Sequence, residues 1–472
     1  MGMGSKIRNV FGALFDVEPH ERQKLLFLSM AFCLIIGGYT IAKELKDSVF
    51  LQIVGREYVP LARTVVLFGL MPAIFLYSKL VDKVRRYQLL NYCALFFGML
   101  GFLFTYLLGH PVIGLPNTNI GPDRIFGWVF YFFVEAYSPF LVSVFWAFAN
   151  SISSPQEAKN NYGLMVAGSK FGGVTSALIA WIILSGISAS ATYSRSVDIY
   201  AHQLVYAMSS CMLILVPIMT LMMIKHVPGQ YLHGYEAVYQ AEKLRKKEGK
   251  NETGMFAGLW LLIRYPYVLG IFGMVYFYEV VSTVLSFLRL KVAEANADTL
   301  AGVTANLLWM IMLSHAIGFL ISLLGTRELL KRLGTRVCLF LIPLVCGAVL
   351  CYVMFDASPF MFGLAYSILK SINLAFSWPV RESLYIPTVK EIKFKSKSWI
   401  DAFGSKFAKT SGSAFNWATT QVSVSMYMPL HSFFFAGVVG LWFMAAYLLG
   451  RRFDRAIAKN EVIGLDEEAI KI

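Results

Sequence analysis

Residues Gly37 to Leu51 read GGYTIAKELKDSVFL. The segment before them, Leu25 to Ile36, is almost entirely apolar, and Val49, Phe50, Leu51, Ile53 and Val54 are apolar again. Lys43, Glu44, Lys46 and Asp47 therefore sit inside a hydrophobic run. No proline interrupts it, so the sequence predicts one helix from about Lys24 to Val54. At about 1.5 Å per residue such a helix outruns the ~30 Å hydrocarbon core of a bilayer. A charge at mid-bilayer costs roughly 2.5–3.5 kcal/mol on insertion scales, so the cluster needs a wet cavity or partners. Lys43, Lys46 and Asp47 stand at i, i+3 and i+4 and share one helix face. The competing reading puts all four charges beyond the membrane, at a helix end.

Working outward, the 472 residues are 57% hydrophobic and 15% charged, with a mean hydropathy of +0.60. Soluble domains carry about 25% charged residues, so the composition indicates an all-α membrane protein of many spans. The net charge of +14 is assigned to basic cytoplasmic loops rather than to nucleic-acid binding. The six cysteines show no CxxC spacing, which gives neither a metal site nor a disulfide framework. The N-terminus resembles neither a cleaved signal nor a transit peptide.

Hydropathy predicts twelve transmembrane helices near 24–54, 60–82, 87–108, 124–150, 160–185, 201–225, 257–291, 299–325, 335–355, 358–380, 399–425 and 429–452. Residues 1–23 form an N-terminal amphipathic segment, with a surface helix over 8–17, and 226–256 a linker. The linker separates a six-helix half, 24–225, from a second, 257–452, followed by a tail, 453–472. Lys and Arg crowd the N-terminus, the linker, the tail and the turns near residues 83–86, 327–336 and 390–397. The intervening loops are nearly free of base, which places both termini and the linker in the cytoplasm.

GSKFGGVTSA at 168–177 and GSKFAKTSGSA at 404–414 repeat at an offset of 236, half the chain length. Two repeated six-helix halves suggest a major-facilitator-like architecture, in which substrate sites lie near the midplane. In that architecture spans one, four, seven and ten line the cavity, and each is polar here. Span one has Lys43, Glu44, Lys46 and Asp47; span four Glu135; span seven Glu279; span ten Lys370 and Asn373, ending at Arg381 and Glu382. Buried carboxylates of this kind either carry function or lock helices together as ion pairs. Glu44, Asp47, Glu135 and Glu279 are candidates for ion pairing or proton carriage. Lys and Arg suit an anionic substrate, and Arg381 offers phosphate a planar fork. Tyr39, Tyr131, Tyr137, Tyr276 and Tyr278 are candidates to stack on a flat ring, or else packing residues. No P-loop, HExxH or GxSxG is present, which argues against an ATP-driven pump and an enzyme.

These residues resemble the nucleotide transporter family of plastids and obligate intracellular bacteria, the ATP/ADP translocases unrelated to the mitochondrial carrier. Tyr39-Thr40-Ile41 with Lys43, Lys46 and Asp47 is similar to that family's first-span motif. Ala62-Arg63 with Tyr77-Ser78-Lys79-Leu80 resembles its second span, and Phe145-Trp146-Ala147-Phe148-Ala149-Asn150 its fourth. Arg381-Glu382-Ser383-Leu384-Tyr385-Ile386-Pro387 resembles a further segment, and Lys393, Lys395, Lys397, Ile400-Asp401 and Lys409-Thr410-Ser411-Gly412 continue the match, the last block being the most specific. The resemblance implies that Lys46, Glu135, Glu279 and Arg381 serve transport. Arg381 stands where the family has Lys, and Lys43 where it has Arg. Strict ATP/ADP exchange, proton-coupled nucleotide import and NAD exchange all remain open on this basis. The resulting expectation is a monomeric, multi-pass carrier in a bacterial inner membrane. It moves a nucleotide by alternating access, needs no cofactor and has no nucleic-acid partner. Its substrate-binding residues are Lys43, Lys46, Glu135, Glu279, Arg381, Tyr39 and Asn373. The alternatives are a proton-driven carrier of another organic anion or a cation, a non-transporting scaffold and, last, a membrane enzyme.

Overall fold

The computed structural model describes residues 18–81, 86–153, 155–232, 257–324, 326–355, 358–389, 392 and 396–464. The expected surface helix at 8–17, most of the linker and the end of the tail lie outside them. Ten helices among the described residues are long and apolar enough to cross a membrane. Two expected spans are not among the ten. Residues 60–82 fall on helix α2, Val59–Val81. Residues 399–425 fold as a π turn, Ile400–Gly404, and a polar helix of only 16 residues, Ser405–Thr420.

The charged stretch lies in helix α1, Pro19–Ile53, 35 residues without an interior proline. Pro19 stands in its first turn, where its missing N–H is no loss. Gly55, at φ +116°, ends it in a backbone conformation that side-chain-bearing residues rarely adopt. After α3, Arg86–Leu108, the fourth expected span is helix α4, Ile125–Tyr137, a π turn, Ser138–Val142, and helix α5, Ser143–Ser151. Helices α6, Pro155–Ser188, and α7, Arg195–His226, come next.

Contacts divide the chain into two units, Met1–Lys250 with Leu290–Leu324, and Asn251–Arg289 with Gly325–Ile472. In the first, α1 packs on α6 and α7, and α3 packs on α7. The α1–α6 seam is made by small residues. A Cβ on Gly168 would stand 3.0 Å from the Ser29 carbonyl oxygen, and one on Gly172 2.2 Å from that of Cys33. A Cβ on Gly37 would meet Ser176 at 3.4 Å. Positions 168, 172 and 176 thus track 29, 33 and 37 at intervals of four, so the two helices run in the same direction with backbones in near contact.

Helix α8, Leu300–Leu324, completes this unit by packing on α6 and α1. His202 on α7 bonds Thr304 on α8 at 2.9 Å, and the Thr304 hydroxyl donates to Ser48 on α1 at 2.7 Å. Arg56 pairs with Glu294 in the same unit.

The second unit contains Ala257–Arg264, most of helix α9, Pro266–Ala295, and helix α10, Thr326–Phe355, which packs on helix α11, Val424–Ala458. Between them Pro359–Ile372 passes through a π turn, Asn373–Ser377, into Trp378–Leu384. The first residues of the two corresponding π turns, 138 and 373, lie 235 positions apart, close to the offset of the sequence repeat.

Candidate functional site

Each unit carries its own charged cluster. In the first, α1 presents Lys46 one turn below Thr40–Lys43 and buries all but 1% of it. Its ammonium lies 2.7 Å from Asp47 Oδ1 and 2.7 Å from Glu135 Oε1 on α4. It also sits over the Tyr131 ring, 3.7 Å from the centroid. A buried ammonium with two carboxylates and an aromatic face is neutralised and held in one place. Asp47 is buried, whereas the Glu135 side chain is 25% exposed, so Glu135 is the wet end of the triad. Lys43 is 3.9 Å from the fully buried Glu44. Tyr39 lies within the electrostatic reach of Lys43, Lys46 and Glu135, and its ring is 5.3 Å from that of Tyr137. Tyr137 is itself fixed by donating to the Ile35 carbonyl at 2.7 Å.

Glu135 stands three residues before the first π turn, and Lys370 three before the second. A π turn inserts one extra residue into a helix and redirects the turns beyond it, and such insertions gather at functional sites. The repeat therefore offers opposite charges at related places, an acid in the first unit and a base in the second.

In the second unit Glu279, on α9, accepts from Ser405 Oγ at 3.2 Å and faces Lys409 at 3.8 Å. Lys370 and Arg381 act on the same carboxylate from farther away. Arg289, completely buried, lies 4.0 Å from the Tyr366 ring centroid, and Lys370 lies 5.8 Å from that centroid. Asn373 opens the π turn, and its side-chain carbonyl is buried without a hydrogen-bond partner among the described residues. Glu382 and Lys397 pair at 2.6 Å. Around Glu279 the unit thus collects several bases for one acid, which suits a polyanion.

Of the expected site residues, the structure brings Tyr39, Lys43, Glu44, Lys46, Asp47 and Glu135 together in one unit. Glu279 is grouped with Arg381 in the other, where Asn373 also lies. Tyr131 and Tyr278 are buried, with Tyr278 against Trp442, and Tyr276 is ringed by Phe272, Phe277 and Phe407. Lys409 and Ser405 join the Glu279 cluster, and neither is among the expected site residues, although Lys409 belongs to the last matching block. Arg63, known from the sequence only as part of the second-span motif, acts on Tyr131, Asp47 and Glu135 from α2.

A family model described as TLC ATP/ADP transporter matches residues 3–119 and 126–346. The chain is 24% identical to ADP,ATP carrier protein 1 of Chlamydia trachomatis serovar D, over 95% of this chain and 92% of that one. It is 22% identical to ADP,ATP carrier protein 1 of Rickettsia prowazekii, over 97% and 98%. It is 24% identical to ADP,ATP carrier protein 2, chloroplastic, of Arabidopsis thaliana, over 95% and 78%. Among solved structures it resembles a D-xylose-proton symporter, with a TM-score of 0.62 at 13% identity over 91% of this chain and 97% of that one. It also resembles FucP, a Major Facilitator Superfamily transporter, with a TM-score of 0.52 at 14% identity over 91% and 99%. At such identities the likeness is one of fold, and that fold is the major-facilitator type. The matched segments span well over half the sequence, and the chain belongs to the TLC ATP/ADP transporter family.

Proposed function

We propose that the chain is a secondary carrier that moves nucleotides across a bacterial inner membrane by alternating access. It would use twelve spans in two six-helix halves, 24–225 and 257–452, with both termini in the cytoplasm. The reading is carried by one observation: each unit holds fixed bases around a partly or wholly buried carboxylate, Lys46 with Glu135 and Lys409 with Glu279. Phosphate oxygens compete with Glu135 for Lys46 while Asp47 keeps its own contact. Lys409, Lys370 and Arg381 gain a second anion beside Glu279. Arg381 contributes a planar fork where a lysine would contribute a point charge. A ligand drives a conformational switch only through contacts that differ between the two states, and exchangeable ion pairs supply such contacts. Tyr39, half-buried beside the first cluster, is the aromatic available to the base.

The test is uptake of labelled nucleotides by proteoliposomes, with and without nucleotide inside. Saturable uptake that requires internal nucleotide supports exchange. Uptake that needs no internal nucleotide and vanishes with the proton gradient supports proton coupling. Absence of uptake for every nucleotide of a panel of bases and phosphate counts rejects the reading.

A further inference from the structure

A third group of basic residues lies in the first unit, away from the Lys46 triad. Lys170 on α6 belongs to the repeated GSKFGG segment and is 7% exposed; His315 on α8 is 8% exposed. Among the described residues Lys170 has neither a hydrogen bond nor an ion pair. Gly173, one turn along α6, is where the imidazole meets that helix: a Cβ there would stand 2.6 Å from His315 Cδ2. On its other side the ring reaches α1, with Nε2 3.1 Å from Thr40 Oγ1. The Thr40 hydroxyl donates to the Ile36 carbonyl at 2.7 Å, so its oxygen accepts from His315 Nε2. The remaining ring nitrogen, Nδ1, is buried and has no hydrogen-bond partner among the described residues. The charges of Lys170 and Lys43 both act on this imidazole. Lys43 is one turn beyond Thr40 on α1, and its side chain is 23% exposed.

Three helices thus bring two ammonium groups and an imidazole to one neighbourhood; with Nε2–H given to Thr40, Nδ1 donates to an anion only as the imidazolium, which an arriving phosphate favours. Burying an ammonium without a counter-charge is costly, and a methionine would fill a similar volume without that cost. The arrangement is accounted for if an anion arrives. Lys43 stands between this group and Lys46, one turn of α1 from Thr40 and one turn from Lys46.

We propose that Lys170, His315 and Lys43 form a subsite for the distal phosphate of the transported nucleotide, which selects di- and triphosphates over monophosphates and nucleosides. The inference rests on the nucleotide-carrier reading. On this reading the proximal phosphate engages Lys46 and the rest of the chain of phosphates runs past Lys43 toward His315 and Lys170.

The experiment measures binding of inorganic pyrophosphate, a nucleoside triphosphate and the matching monophosphate to the purified full-length chain. The variants are Lys170→Met, Lys170→Arg and His315→Gln, and thermal unfolding is recorded for each. Lys170→Met is expected to unfold at or above the wild-type temperature. It should bind triphosphate and pyrophosphate at least tenfold more weakly and monophosphate within twofold of wild type. Lys170→Arg should restore most of the loss, and His315→Gln should lower pyrophosphate affinity in the same direction. Equal weakening for mono- and triphosphate, no weakening, or an unfolded Lys170→Met would overturn the subsite. If wild type binds pyrophosphate through Lys170 but binds no nucleotide, the carrier reading fails and the anion subsite stands. If nucleotides bind and Lys170→Met changes nothing, the reverse holds.

Discussion

Lys46 is held by two carboxylates at 2.7 Å each, and this symmetry decides the outcome of substitutions there. Lys46→Met removes the ammonium that bridges Asp47 and Glu135 and leaves the two acids without the charge between them. Breaking a buried pair from one side costs about 3–5 kcal/mol. The variant should therefore unfold at a lower temperature and lose uptake by at least a hundredfold. Glu135→Gln keeps the Lys46–Asp47 contact and one acceptor oxygen. It should fold as wild type does while uptake falls, because phosphate no longer has a charge to displace. Wild-type melting and uptake in both variants would remove Lys46 from the site. The triad was legible in the sequence because charge in an apolar span is conspicuous. Lys170 was legible only as part of the repeated GSKF segment and His315 not at all, because only packing of α6 against α8 makes them neighbours.

At the scale of elements, the α1–α6 seam fixes where Lys43 and Lys170 stand. Gly172 has no room for a side chain because the obstacle is the Cys33 backbone, which cannot rotate away as a side chain would. Gly172→Val should cost about 1–3 kcal/mol, as overpacking typically does. Gly186→Ala on the same helix, where nothing lies within 4 Å of the added methyl, should leave the melting temperature unchanged. Equal melting of the two variants would show that the close approach does not matter. The π turns supply a second test. Deleting Phe140 removes the extra residue of the first turn and lets α4 run into α5 as plain helix. The side chains of the turn itself, next to Glu135, are then rearranged. The variant should still insert but take up no substrate. Retained uptake would make the turn incidental. Most span positions were readable from hydropathy, because burial in lipid demands long apolar helices. The π turns were not, since one extra residue leaves the apolar pattern nearly intact. The eleventh expected span is more polar than the others, its Lys, Ser and Thr alternating with Phe and Trp.

For the whole molecule, the distribution of charge argues for one orientation. Lys and Arg gather at the N-terminus, the linker and the tail, while the loop around 110–122 carries neither. The base just after that loop, Arg124, does not break the pattern. Its guanidinium donates to the backbone carbonyls of Ile113, Gly114, Asn117 and Asn119, so it ties down the loop instead of facing the solvent as a free charge. Thr118 in this loop and Lys459 after α11 are both exposed. Cys211 and Cys351 are exposed, so labelling of each new cysteine by an impermeant maleimide is read against the same chain with its native cysteines replaced by serine. In intact cells Thr118→Cys should label and Lys459→Cys should not; after permeabilisation both should. Labelling of Lys459→Cys in intact cells would invert the topology. The basic loops would then face outward, and the proposed carrier would have to be redrawn with its entry and exit sides exchanged.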